Sequence, residues 1–209
     1  MARPAGSRGE LTRERILDEA ERIFAESDYS ATRLEDVALA VDIRRASIIY
    51  YFPTKQQLYE AVQSRAYSAL VDYVCERVGQ APAYPERLFA LLDATLDFLV
   101  ARPTLARIIL RDSVSNYENE DVPVRYSGPM LELWESVVRD GQAAGELADV
   151  TPIHLMNVLG AGIMFFAATA GVVGSVRRYD PVAPDQRETY RALMHAAARS
   201  VLHRPGEAA

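Results

Sequence analysis

The stretch Val41-Asp42-Ile43-Arg44-Arg45-Ala46-Ser47-Ile48-Ile49-Tyr50-Tyr51-Phe52-Pro53-Thr54-Lys55-Gln56-Gln57-Leu58 compresses a turn, a short helix, a stop and a new helix start into a few lines of sequence. Val41-Asp42-Ile43 reads as a tight turn. A helix follows from Arg44 to about Tyr50 and stops at Phe52-Pro53, because a residue before proline is pushed out of the helical region. Thr54 and Gln57 have capping-box spacing, which opens a long further helix. Upstream, Thr32 and Glu35 repeat that spacing ahead of Leu34, Val37, Ala38 and Val41, the apolar face of another short helix. Two short helices joined by a tight turn, the second rich in Arg, Ser and Tyr, spell a helix-turn-helix.

The chemistry of that second helix fits a DNA major groove, which admits one helix and meets its early residues with base edges. Arg44 and Arg45 stand at those early positions, where a guanidinium can fork onto guanine, and Ala46 and Ser47 are small enough for close approach. Tyr50 and Tyr51 offer phenolic donors to phosphate. Lys55 adds a charge in the first turn of the next helix, beside amides that already attract anions. Thr32 is expected to cap first and to touch phosphate second. In the arm Met1 to Gly9, Arg3 and Arg8 either reach a minor groove or belong to an idle terminus, the second being the plainer expectation.

The same residues resemble the amino-terminal signature of TetR-type transcriptional regulators, and Tyr29-Ser30-Ala31-Thr32-Arg33-Leu34-Glu35-Asp36-Val37-Ala38 strengthens the resemblance. Asp42 replaces the turn glycine usual in that family, Arg44 replaces a serine, Ile49 the first tyrosine, and Tyr51 a histidine. Aspartate tolerates a left-handed turn better than most residues, so the motif survives the first change. The resemblance is specific over about residues 12 to 60. It implies a double-stranded DNA operator as partner, a homodimer, and a carboxyl-terminal helical domain that encloses a small-molecule effector. The implied function is a cytoplasmic, ligand-responsive repressor released from a palindromic operator by an apolar or amphipathic molecule. A helical small-molecule binding or carrier protein without DNA activity is the alternative.

Composition bounds this reading. The chain has 209 residues, 49% of them apolar, enough to bury a core. Its 23 basic and 29 acidic side chains leave a net charge of −6, which by itself argues against a dedicated polyanion binder. Residues 1–55, however, hold nine basic and ten acidic groups, so most of the excess negative charge lies further on. Acids cluster at 18–28, and Arg33, Arg44, Arg45 and Lys55 follow them. The single cysteine, Cys75, and three scattered histidines, His154, His195 and His203, point to no disulfide and no metal site. The amino end leads into no apolar signal core, so a reducing cytoplasm is expected. With no nucleophile, base and orienting residue in any motif, and no phosphate-cradling glycine loop, neither an enzyme nor a cofactor is expected.

Apolar residues recur at three-four spacing from end to end, which predicts an all-α chain of about nine helices. An amino-terminal three-helix unit, residues 1–57, is joined by a long helix to a larger ligand-binding and dimerisation domain, residues 58–209. The first helix is expected from Thr12, the longest loop over Ser115 to Gly128, a seventh helix from Pro129, and an eighth over Pro152 to Arg178. Candidate ligand-lining residues are Phe89, Leu92, Leu96, Ile109, Met130, Trp134, Met164 and Phe165, as a mostly apolar cavity requires. Asp93 and Asp97, four apart on the fifth helix, are expected to face solvent. Val158 to Val176 is a charge-free run of 19 residues, long enough to span a bilayer. Its content of Gly and Ala suits instead a close-packed subunit interface, so no membrane is expected. The dimer candidates are Gly160, Ala167, Gly171, Gly174, Leu193, Ala197, Ser200 and Val201.

Overall fold

The computed structural model describes residues 8–27, 29–114, 121–169 and 179–202. It is all-helical, and the described residues carry ten α-helices, one π-helical turn and a single isolated bridge, Leu147 to Leu202. Because α8, the π turn and α9 are continuous, they make nine helical runs. The chain divides into two compact units, Met1–Ala66 and Tyr67–Ala209. No helix among the described residues is long and apolar enough to cross a membrane.

In the first unit, α1 (Arg8–Glu26) begins one turn before the expected Thr12 and buries Ile16, Leu17, Ala20 and Phe24. Its acids do not repel the rest of the unit. Glu14, Asp18 and Glu21 converge on Arg65 of α4 (Lys55–Gln80), with Asp18 at 2.7 Å, and Arg22 takes Glu19 and Glu26 along α1 itself. Helix α2 (Leu34–Ala40) starts one residue later than the capping-box spacing suggested. The Arg33 amide donates to the Asp36 carboxylate at 2.9 Å, so Asp36 rather than Glu35 closes the cap. At its far end Asp42 takes φ 55°, in the left-handed region. The Ile43 amide reaches the Ala38 carbonyl at 3.0 Å and the Asp42 amide the Leu39 carbonyl at 3.1 Å. This is the Schellman arrangement, which satisfies carbonyls that a helix end would otherwise leave bare. Arg15 of α1 caps the adjoining Val41 carbonyl at 3.1 Å. Helix α3 (Arg45–Tyr51) follows, ends in the extended residue Phe52, and gives way to α4, whose Gln57 amide is held by Thr54 Oγ1 at 3.2 Å.

In the second unit, α5 (Glu86–Ala101) is the central element, burying nine side chains on nearly every side. Around it stand α6 (Pro103–Val114), α7 (Asp121–Ala143), α8 (Pro152–Leu155) with the π turn Met156–Gly160, α9 (Ala161–Ala168) and α10 (Pro184–Arg199). Helix α7 begins at Asp121, two turns ahead of the expected Pro129. Pro123 lies in its first turn, where a missing amide costs nothing, and Pro129 is accommodated inside the helix. Gly145, at φ 71°, ends α7 with a second Schellman pair, Glu146 to Gly141 and Gly145 to Gln142. Gly141 itself lies against the Tyr84 ring so closely that a Cβ would collide with it. The expected eighth helix is interrupted by the π turn, and its continuation beyond residue 169 lies outside the described residues.

Asp93 and Asp97 stay off the cavity wall and keep 33% and 38% of their side-chain surface in solvent, but the rest of each is engaged. Both accept from Arg191 of α10, at 2.7 and 2.6 Å, and Asp93 also meets His195 Nε2 at 2.8 Å. The acidic face of α5 is thus the seat of α10.

Candidate nucleic-acid interface and ligand cavity

Helix α3 commits a single side chain to the core. Ile48 is 0% exposed, whereas Arg44, Arg45, Ala46, Ser47, Ile49 and Tyr50 all stand in solvent and Tyr51 is half-buried. Arg44 precedes the first turn as the extended N-cap, and no ion pair engages it among the described residues. Arg45 is held differently, its Nε paired with the Glu35 carboxylate of α2. Tyr50 is 82% exposed and meets the Tyr51 ring edge-on at 5.3 Å. The result is an exposed row of two guanidiniums, a hydroxyl and a phenol on one short helix.

Two of the expected phosphate contacts are placed otherwise. Thr32 is only 3% exposed and belongs to the core of the unit, because the chain turns inward there to start α2. Lys55 donates to the carbonyls of Tyr29 and Ser30, at 2.7 and 3.4 Å, and lies over the Tyr29 ring. Its charge serves the turn between α1 and α2. Arg8 opens α1, and Arg3 lies outside the described residues.

Within the second unit a cavity of about 260 Å³ opens between α4, α5, α6, α7 and the α8 to α9 run. Ile109, Met130, Trp134 and Met164 are on its wall. Phe89, Leu92, Leu96 and Phe165 are not. Leu92 and Leu96 pack in the interior of the α5 layer, and the Phe89 ring faces α10, 4.6 Å from the His195 ring with Arg199 above it. Phe165 points outward on the solvent side of α9. Apolar character alone does not distinguish these faces, since α5 is apolar almost all round. Tyr67, Thr95 and Asn157 also line the cavity and escaped the sequence reading, for nothing in their spacing sets them apart.

The dimer candidates separate in the same way. Gly160 backs onto Trp134 and Ala167 is 1% exposed, so both serve packing inside the chain, where α9 lies on α5 and α6. Gly171 and Gly174 lie outside the described residues. Leu193 and Ala197 are exposed on α10 and Ser200 at its C-cap, Val158 and Phe165 face solvent in the α8 to α9 run, and Val201 is half-buried and accepts from the Ala148 amide at 2.9 Å.

Residues 16–62 match the family model for bacterial regulatory proteins of the tetR family. The amino-terminal unit belongs to that family. Over 62 residues the chain is 27% identical to the biofilm operon icaADBC negative transcriptional regulator IcaR of Staphylococcus epidermidis, a match spanning 30% of this chain and 34% of that regulator's length. The chain therefore covers about a third of its curated relative. Solved structures extend the likeness of fold to the whole chain. A tetR-family regulatory protein from Rhodococcus RHA1 superposes with a TM-score of 0.74 at 17% identity, covering 94% of this chain and 98% of that one. The regulator FadR of Bacillus subtilis, solved in complex with stearoyl-CoA, does so with a TM-score of 0.70 at 18% identity, covering 87% and 96%. Within this tetR-type unit, Asp42 adopts the left-handed conformation for which glycine is usual, and Ile49 and Tyr51 keep the outer face of α3 apolar and phenolic. Glu35 and Tyr29, which hold Arg45 and Lys55, were invisible beforehand because each lies ten or more residues from its partner.

Proposed function

We propose that this chain is a transcriptional regulator that grips a palindromic duplex as a homodimer and is released by a small molecule bound in the second unit. The observation that carries the proposal is the exposed row on α3 of a tetR-type helix-turn-helix, a seven-residue helix that spends one side chain on the core and offers the rest to a groove. Arg44 and Arg45 are the candidate base readers. Ser47, Tyr50 and Tyr51 are the candidate phosphate donors, and Ala46 permits close approach. The negative regulator IcaR among its relatives supports repression, and the stearoyl-CoA complex of a fold neighbour supports an effector site in the carboxyl-terminal unit. One reading helix per chain makes too few contacts for specificity, which supports a dimer on two half-sites. The exposed apolar side chains Val158, Phe165 and Leu193, flanked by Ala197 and Ser200, are the proposed subunit contact. The place of action is the cytoplasm, and no catalytic step is assigned.

Footprinting on the chain's own upstream region tests the reading. A protected two-fold symmetric site, lost in an Arg44→Ala, Arg45→Ala double variant, is the expected result. Failure to protect any duplex, with binding of apolar compounds intact, would establish the carrier alternative instead.

A further inference from the structure

Resting on the effector reading of the cavity, we infer that the molecule it takes is uncharged, has roughly ten to twenty non-hydrogen atoms, and presents a hydrogen-bond acceptor to Trp134 on an otherwise apolar body. The size follows from about 260 Å³ of space, given about 30 Å³ per water in the liquid and about half that swept by a water's centre. The neutrality follows from the wall. Among the described residues its side chains include no Asp, Glu, Lys, Arg or His, so a charged group would shed its hydration without meeting a counter-charge among them.

Of the five polar side chains described on the wall, Tyr67, Thr95, Ser127, Trp134 and Asn157, the last two and Thr95 set what the ligand must offer. Trp134 is 1% exposed and lines the cavity. A buried indole N–H normally finds a partner, and an oxygen of the ligand is the partner proposed for it. Gly160 lies against that ring, where a Cβ would come into van der Waals contact with Trp134 Cζ2 at 3.4 Å and a larger side chain would fill the space beside it. Thr95 has already given its hydroxyl proton to the Leu91 carbonyl at 2.7 Å and faces the cavity as an acceptor only. Asn157, towards the exposed edge, both donates and accepts. Met130, Met156 and Met164 supply an adaptable apolar surface for the remainder.

The test uses the full chain and two dyes that share a skeleton, phenyl-naphthylamine and its sulfonated counterpart anilinonaphthalene sulfonate. The neutral dye is expected to bind at least tenfold more tightly and to quench Trp134 emission, and Gly160→Leu to weaken it at least tenfold. Should that variant fail to fold, competition in the unmodified protein decides. A ten-carbon methyl ketone should displace the dye at least tenfold better than decanoate or decylamine. Equal or tighter binding of the sulfonate, equal competition by the charged chains, or no neutral binding with quenching overturns the inference. Duplex affinity measured on the same samples addresses the effector reading separately. Neutral-selective binding with no effect on the duplex sinks that reading and leaves the ligand class standing.

Discussion

Lys55 holds Tyr29 twice over, donating to its carbonyl at 2.7 Å and resting 4.2 Å above the centre of its ring. The Tyr29 ring in turn packs on Tyr59, 4.9 Å away, so one ammonium ties the start of α4 to the turn between α1 and α2. Lys55→Ala should therefore destabilise the amino-terminal unit by about 1–3 kcal/mol, the loss of a charge-assisted bond and a cation–π contact. The salt dependence of duplex binding should stay unchanged. A salt slope reduced by about 1 per half-site, with stability intact, would return Lys55 to the phosphate backbone.

Asp42 pays a conformational cost at φ 55° that glycine would not. Asp42→Gly should raise the melting temperature, by up to about 1 kcal/mol of stability, and Asp42→Val should lower it by at least as much, with the left-handed penalty of about 1–2 kcal/mol as the source. Equal melting of all three forms would mean that the turn relaxes.

Arg45 is restrained by Glu35, and Arg44 is not. Glu35→Gln should strengthen binding to random duplex a few-fold by releasing the guanidinium and removing a carboxylate from the approaching phosphates. Arg45→Ala should cost about 1–3 kcal/mol on the true site and much less on random duplex if Arg45 forks onto guanine. Titrations on both duplexes check this, and a uniform loss would assign the residue to phosphate.

Arg191 is the hub between α5 and α10, engaging Asp93, Asp97 and Glu188. Arg191→Met should cost about 1–2 kcal/mol in urea unfolding, since two carboxylates lose their cation while keeping access to water. Asp93→Asn and Asp97→Asn should each cost less, and their double variant should fall short of the sum, as members of one network do.

Tyr190 stacks on Phe166 at 4.0 Å, and burial, followed by its neighbour Tyr179, pushes its phenol up from 10.0 to about 12. A phenol whose ionisation is suppressed by folding contributes stability that is full below pH 10 and is lost as the pH rises through about 12. Tyr190→Phe should flatten the decline of stability in that window and change little at neutral pH. Urea melts between pH 9 and about 12 would show it, and parallel curves for the two proteins would count against it.

What could be read beforehand was what lies close along the chain. The α2 to α3 turn, the stop at Phe52-Pro53 and the Thr54 cap each rest on side chains within four residues of one another, and local backbone chemistry settles them. Glu35 with Arg45, Lys55 with Tyr29 and Asp93 with His195 are pairings between segments ten or more residues apart in the chain, and no periodicity reports them. The same limit explains Phe89 and Leu96. An α5 that is apolar on nearly every side can turn any of its faces to the cavity, and only packing against α10 decides which one is excluded.

Ile48 has a consequence for how such a chain changes over generations. With α3 moored by that one side chain, by the Asp42 turn before it and by Phe52 behind it, the exposed positions from Arg44 to Tyr50 can be substituted at little cost to folding. Selection on the sequence being read and selection on thermal survival act on separate residues. A duplicated copy could thus drift to a new binding site through a succession of fully folded intermediates.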